Sequence, residues 1–381
     1  MARELTIDGV RIADDTDCWV IAEIGHNHGG SVEECKKLFK AAAECGAHAV
    51  KLQKRDNPGL YTKEMFNRPY DNENSYGPTY GTHREALEFG RAEYEELKAY
   101  AANLGVTFFA TAFDFKSAEM LADLDMPAYK IASGDLTNTP LLKIVAEIGK
   151  PMIVSTGGGT IDDVRRAHEC VAAINPSVAL LQCTAGYPVE NWEELDLRVI
   201  ETFRLEFPET VVGYSGHDNG IAMPVAAYVL GGRIVEKHFT LNRAAKGTDH
   251  RFSLEPVGLR KLVRDLQRTR EALGKGDKIP YPSEADPITK MGKKIVAARA
   301  LPAGHVLQRD DIALKSPSDG GLPPYELDRL VGRRLRRPVA FEDFLTFDDV
   351  EPLSEHAGAH AAAVRRGDRA RTAGGRRQPA T

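Results

Sequence analysis

Two histidines, His217 and His238, each follow a short apolar run, at 211–214 and 234–235, with an amphipathic stretch at 221–231 between them. Strand, helix, strand makes such runs neighbours in a parallel sheet. Both imidazoles then sit at carboxyl ends of adjacent strands, where α/β folds place their chemistry. Two neutral imidazoles converging there can hold a divalent cation with coordination positions left open. The pair by itself fits two strand caps equally well, so the residues around it have to decide.

Other apolar runs also end in polar residues, and their parity is consistent. Side chains alternate along a strand, so residues two apart face the same side. The run at 19–25 presents Glu23, that at 49–53 presents Lys51 and Gln53, and that at 107–113 presents Thr111. Lys130 and Ser133 come from 128–133, Ser155 from 151–156, and Tyr187 from just beyond 178–185. Ser215 and His217 share a face, as do Glu236 and His238. Burying that much polarity costs several kcal/mol unless a ligand or partner satisfies it. Two lysines with four hydroxyl residues suit an anion with many oxygens, such as phosphate plus carboxylate. An internal network, with Glu236 paired to Lys51 or Lys130, is the competing explanation, and both can hold at once.

The elements that must position these residues repeat one theme. Eight apolar runs alternate with helical patterns at 32–44, 92–103, 117–124, 139–148, 161–173, 194–207, 221–230 and 256–273. The span matches the ~250 residues of a (β/α)8 barrel, and near-continuous apolar strands suit a closed parallel sheet. An open doubly wound sheet is the rival, but EIGHNHGG after the first strand is not a G-x-G-x-x-G phosphate loop. Residues 4–12 alternate around Asp8-Gly9 and predict a hairpin able to plug the barrel floor. Residues 54–91, rich in Asn, Tyr and Gly, form a long connection that is a candidate lid or a surface insertion.

The predicted division is a barrel domain at 1–275, a polar linker at 276–289, a small domain at 290–350 with strand-like KIVAARA, HVLQ and ALKSP and a short helix near 325–331, and a disordered tail at 351–381. The tail's arginines suit solvent better than a polyanion. With 50 basic and 55 acidic residues the net charge is −5, which argues against nucleic-acid or membrane-surface binding as the main role. Five cysteines without CxxC spacing, no signal-peptide core and no apolar run of ~20 residues predict a cytoplasmic protein acting on small molecules. TGGG at 156–159 reads as a tight turn, Cys183 as a buried structural thiol, and His26 and His28 as orienting residues rather than metal ligands. Trp19 and the Phe108–Phe109 pair read as core.

The runs IAEIGHNHGG, AVKLQ, FFATAFD, YKIASGDLTNTPLL, STGGGT, LLQCTAGYP, VGYSGH, EKHFT and KGTDH resemble the sialic acid (N-acetylneuraminate) synthases, in order and across nearly all of 19–250. Residues 296–349 are similar to that family's C-terminal antifreeze-like (SAF) domain. The resemblance implies a TIM barrel plus SAF domain in a domain-swapped homodimer, and condensation of phosphoenolpyruvate with an N-acylated aminosugar. It implies that His217 and His238 bind Mn²⁺ or Mg²⁺. Lys130, Ser133, Ser155 and Ser215 would hold phosphate, and Lys51 and Thr111 the carboxylate. Glu23, Gln53, Tyr187 and Asp249 would face the sugar and the attacking water. Three positions depart from the family pattern: Ala185 for Asn, Gly216 for the Asp before the first histidine, and Ser316 for the Arg of Lys-Arg-Pro. The Ser316 and Ala185 changes point to an acceptor other than ordinary N-acetylmannosamine, such as one lacking the N-acetyl group, while Gly216 alters the metal motif. A metal-dependent pyruvate aldolase or lyase, and a non-catalytic sugar- or anion-binding scaffold, are the alternatives.

Overall fold

The computed structural model describes residues 3–352, so nearly all of the expected tail lies outside the described residues. The chain divides into two compact units, Met1–Lys275 and a second that begins at Gly276.

In the first unit, β1 (Glu4–Ile7) and β2 (Val10–Ala13) pair antiparallel around Asp8 and Gly9. Both turn residues have positive φ, as a two-residue turn matched to strand twist requires. Eight parallel strands follow: β3 (Trp19–Gly25), β4 (Ala49–Lys54), β5 (Thr107–Ala112), β6 (Tyr129–Ile131), β7 (Met152–Ser155), β8 (Val178–Cys183), β9 (Val211–Gly216) and β10 (Ile234–His238). They close into a barrel, with β10 bonded to both β9 and β3. The open-sheet alternative is thereby excluded.

The strands are buried on both sides, which is why they read as near-continuous apolar runs. Leu5, Ile7 and Ile12 of the hairpin pack with Trp19, Phe109, Ile153 and Leu181 to fill the barrel floor. Trp19 stacks on Phe109 at 6.0 Å between ring centroids. Outward-facing residues of the strands pack against a ring of helices: α1 (Val32–Glu44), α5 (Arg91–Leu104), α6 (Phe115–Asp123), α7 (Thr139–Glu147), α8 (Ile161–Ala172), α9 (Val199–Glu206), α10 (Ala222–Val229) and α11 (Pro256–Leu273). Ser31, Asp114, Asn138 and Thr160 cap four of these helices with side-chain oxygens, satisfying amides the first turn leaves open. The helix expected over 194–207 starts later. Asp196 takes φ +33°, which ends a single 3-10 turn at Trp192–Leu195, and α9 begins only at Val199.

The connection at 55–90 is ordered into three short helices, α2 (Asn57–Leu60), α3 (Lys63–Asn67) and α4 (Tyr80–Glu85). Tyr76 donates to the Lys246 carbonyl at 2.7 Å and Asn74 accepts from the Gly247 amide at 3.0 Å, tying this segment to the loop after β10.

In the second unit, α12 (Ala285–Met291) occupies part of the segment expected as linker. β11 (Lys294–Ala297) and β12 (Ile312–Lys315) pair antiparallel, and α13 (Leu327–Leu330) is the short helix. HVLQ is no strand; Val306 makes a single bridge to Arg334. Its core gathers Ile295, Leu307, Leu330, Leu335 and Leu345. Two buried acids, Asp311 and Asp349, each accept from an arginine, Arg299 at 2.6 Å and Arg337 at 2.7 Å, and close similar capping turns.

Candidate active site

Register sets the heights of the inward residues. His238 lies level with Glu23, and Glu23 with Lys51. Gln53 lies level with Thr111, and Thr111 with Lys130. Cys183 lies level with Ser215, and Ser215 with Glu236. All face one cavity of about 390 Å³ above the apolar floor. Every one of the twelve residues singled out from sequence lines it: Glu23, Lys51, Gln53, Thr111, Lys130, Ser133, Ser155, Tyr187, Ser215, His217, His238 and Asp249.

A bulge sharpens the corner beside Glu23. The β3–β4 register shifts between Glu23 and Gly25, and Gly25 takes φ +53°. A Cβ there would meet Asp249 Oδ2 and Glu23 Oε1, both at 3.3 Å, so glycine lets the backbone turn beneath these groups.

The lysines are held in place. Lys51 Nζ lies 2.6 Å from Glu23 Oε2 and donates to Thr111 Oγ1 at 2.9 Å. Lys130 Nζ donates to Ser155 Oγ at 2.6 Å. Glu236 Oε1 lies 3.7 Å from Lys51 and 3.8 Å from Lys130 and accepts from Ser215, while its Oε2 is buried without a hydrogen-bond partner. The internal Lys–Glu network therefore exists, and the hollow exists with it. Burial pushes the Glu23 carboxyl up to about 7 against the pull of Lys51. Burial also lowers Lys130. For Glu236, burial acts upward but the two lysines outweigh it, leaving its pKa below the ordinary value. With Lys51, Lys130, Arg55 and Arg84 facing Glu23, Glu236 and Asp249, the lining carries more cations than acids.

The two histidines converge, their ring centroids 5.5 Å apart. His217 Nδ1 lies 3.0 Å from the Thr184 carbonyl, which can only accept, so Nδ1 carries the proton and Nε2 keeps its lone pair. His238 Nδ1 is buried without a hydrogen-bond partner. Burial, helped by the neighbouring imidazole, lowers His217 to about 4, and burial lowers His238 too. Two neutral imidazoles, one with a fixed tautomer and one with an orphaned nitrogen, fit a divalent cation. Among the described residues no set of three or more His, Cys, Asp or Glu side chains forms a closed metal cage.

Behind the histidines lies a buried clamp. Lys237 Nζ lies 2.9 Å from Asp218 Oδ1, and Tyr214 donates to the same oxygen at 2.7 Å. Gly216 is required by this contact. A Cβ there would lie 2.4 Å from Asp218 Oδ1 and 2.4 Å from Tyr214 Cε1.

Sequence reasoning missed Arg55 and Arg84. Arg55 shares the parity of Lys51 and Gln53, a signal that was available. Arg84 sits on α4, where no strand periodicity applies. His26 and His28 orient neighbours as expected: His26 faces both arginines, and His28 Nδ1 accepts from the Gly30 amide. Gly157 donates its amide to Ser133 Oγ at 3.0 Å, as part of a tight turn. In the second unit, Ser316 Oγ accepts from Lys293 at 2.7 Å.

A closed parallel barrel with an apolar floor and a charged mouth at the strands' carboxyl ends is an enzyme architecture. Sequence comparison narrows the class. Residues 38–278 match the NeuB family and residues 294–351 match the SAF domain. N-acetylneuraminate-9-phosphate synthase of Mus musculus is 38% identical over 89% of this chain and 94% of its own. N,N'-diacetyllegionaminic acid synthase of Legionella pneumophila subsp. pneumophila is 33% identical over 88% and 95%. The solved N-acetylneuraminic acid synthetase of Leptospira borgpetersenii, in complex with citrate, superposes with a TM-score of 0.66 at 31% identity, covering 76% of this chain and 96% of that one. The chain belongs to the NeuB family and is an N-acetylneuraminate synthase-like enzyme with a SAF domain. No helix of the described residues is long and apolar enough to cross a membrane.

Proposed function

We propose that this enzyme condenses phosphoenolpyruvate with an open-chain aldose to give a nonulosonic, 3-deoxy-2-keto acid and inorganic phosphate. The observation that carries this is one cavity holding both a lysine–hydroxyl cluster and a neutral imidazole pair. Lys130, Ser133, Ser155 and Ser215 hold the phosphate, and Lys51 with Thr111 the carboxylate. His217 and His238 hold Mn²⁺ or Mg²⁺, which when bound supplies Lewis-acid polarisation of the aldehyde. Gln53, Tyr187 and Asp249 orient the sugar so that C3 of the enol faces the carbonyl carbon.

The new C–C bond leaves positive charge at C2 and an alkoxide at the former aldehyde oxygen, and that alkoxide finally takes up the proton released when water adds to C2. Glu23, ionised, stabilises that charge and takes a proton from the water that adds to C2. The tetrahedral product then breaks its C2–O bond to phosphate as the C2 hydroxyl gives its proton to the departing phosphate and becomes the ketone. Lysines already positioned by Thr111 and Ser155 need little reorganisation as charge moves.

The acceptor is a modified hexosamine rather than plain N-acetylmannosamine, in line with Ser316 and Ala185. The mouse relative's name specifies a 9-phosphate product. Three carbons come from phosphoenolpyruvate, so that phosphate starts on C6 of a hexose, and we carry such an acceptor over to this chain as the leading candidate. The further expectations are a homodimer, the cytoplasm as compartment and a barrel–linker–SAF division at 1–275, 276–289 and 290–350. Five free cysteines fit that compartment.

The test is phosphate release from phosphoenolpyruvate with Mn²⁺ and a panel of aldoses. Stoichiometric release with a hexosamine supports the reading. Pyruvate formation without condensation, or no release with any metal, ends it.

A further inference from the structure

Beyond the lysine cluster, the same cavity is lined by a second group of cations. Arg55 follows the end of β4, and Arg84 comes from α4. Arg55 lies four residues past Lys51 on the same parity, up to about 13 Å further along extended chain toward the mouth, with Gln53 and Glu23 bridging between them.

Their immediate partners do not balance them. Arg55 shares Glu88 with Lys54, at 3.7 Å and 3.2 Å, donates to Gln53 Oε1 and lies 3.7 Å over the Phe113 ring. Arg84 has no carboxylate at ion-pair distance among the described residues, and its Nε and Nη2 both donate to the one Tyr80 hydroxyl. The remaining contact is His26, whose Nε2 faces Arg55 at 3.1 Å and whose Nδ1 faces Arg84 at 3.2 Å. Burial and the two guanidiniums keep that imidazole neutral. A neutral imidazole has one lone pair and one N–H. It can accept from one arginine, and it turns an N–H toward the other. One guanidinium donor facing His26 is therefore left without an acceptor at hydrogen-bond distance. For Arg55 the nearest spare oxygen is Glu88 Oε1, 3.7 Å away and also 3.8 Å from His26. Arg84 has no such carboxylate among the described residues, an arrangement that an anion with several oxygens relieves.

We propose that Arg84 and Arg55 form a second anion subsite that binds a phosphate on the acceptor sugar, at the end away from the aldehyde, and so select a phosphorylated hexosamine. This rests on the condensation reading above. Arg84 is the specificity-determining member, because Arg55 is already paired with Glu88.

The experiment compares N-acetylmannosamine 6-phosphate with N-acetylmannosamine in wild type, Arg84→Gln and Arg84→Lys, each checked for an unchanged melting temperature. The expected result is a preference for the phosphorylated sugar in kcat/KM that falls roughly 10–100-fold in Arg84→Gln, is partly restored in Arg84→Lys, and leaves the KM for phosphoenolpyruvate in place. Equal use of the two sugars by wild type, or an unchanged preference in Arg84→Gln, overturns the subsite while the condensation stands. Thermal-shift titration separates the opposite failure. If no turnover occurs with any sugar, stabilisation of wild type but not Arg84→Gln by the 6-phosphate still supports the subsite. No shift in wild type overturns it.

Discussion

Glu23 sets the clearest expectation for a single residue. Its folded pKa is raised to about 7, chiefly by burial, and the proposed role needs the ionised form. Raising a carboxyl's pKa keeps it protonated to higher pH, so kcat/KM should climb with pH through about 7 and fall about tenfold per unit below it. Glu23→Gln should lose about 10²–10⁴ in rate and the pH-dependent limb together. A phosphate-release profile flat from acid to neutral pH would show that Glu23 is not the working base. His217→Ala and His238→Ala should each abolish stoichiometric Mn²⁺ binding in equilibrium dialysis. Unaltered binding in both variants would remove the histidines from the metal site.

Among the elements, the ends of β9 and β10 are joined by more than backbone pairing. Asp218 and Lys237 are fully buried and flank His217 and His238 in sequence. Lys237→Met leaves the Asp218 carboxylate uncompensated and should cost about 3–5 kcal/mol in urea denaturation. Gly216→Ala should cost about 1–3 kcal/mol by forcing Asp218 and Tyr214 apart. The absence of an acid before His217 is thus accommodated by one immediately after it. A Gly216→Ala protein as stable as wild type would mean the clamp tolerates displacement. The segment carrying α2–α4 works differently, bringing Arg84 to the cavity from a stretch without strand or long-helix periodicity.

For the whole molecule, chelation should abolish phosphate release and Mn²⁺ should restore it, while the melting temperature falls on metal removal by ligand linkage. Light scattering on the eluted peak should give twice the chain mass, and a monomer at working concentration would remove the expected dimer. Ser316→Arg, assayed on the same sugar panel, should shift preference toward N-acetylmannosamine if the SAF domain reads the acyl group. The barrel and the strand-borne residues of its cavity were legible in the chain because a strand's period of two is local: Lys51, Gln53, Lys130 and His238 announce their face by position alone. Asp249, beyond the end of β10, was indicated only by the family resemblance. Arg55 obeyed the same rule and was overlooked. Arg84, the His26 contact shared by two guanidiniums and the Asp218–Lys237 pair could not be read this way. They depend on segments distant in sequence packing at one place, and only the closed barrel, with β10 hydrogen-bonded back to β3, sets those distances and removes the water that would otherwise screen the charges.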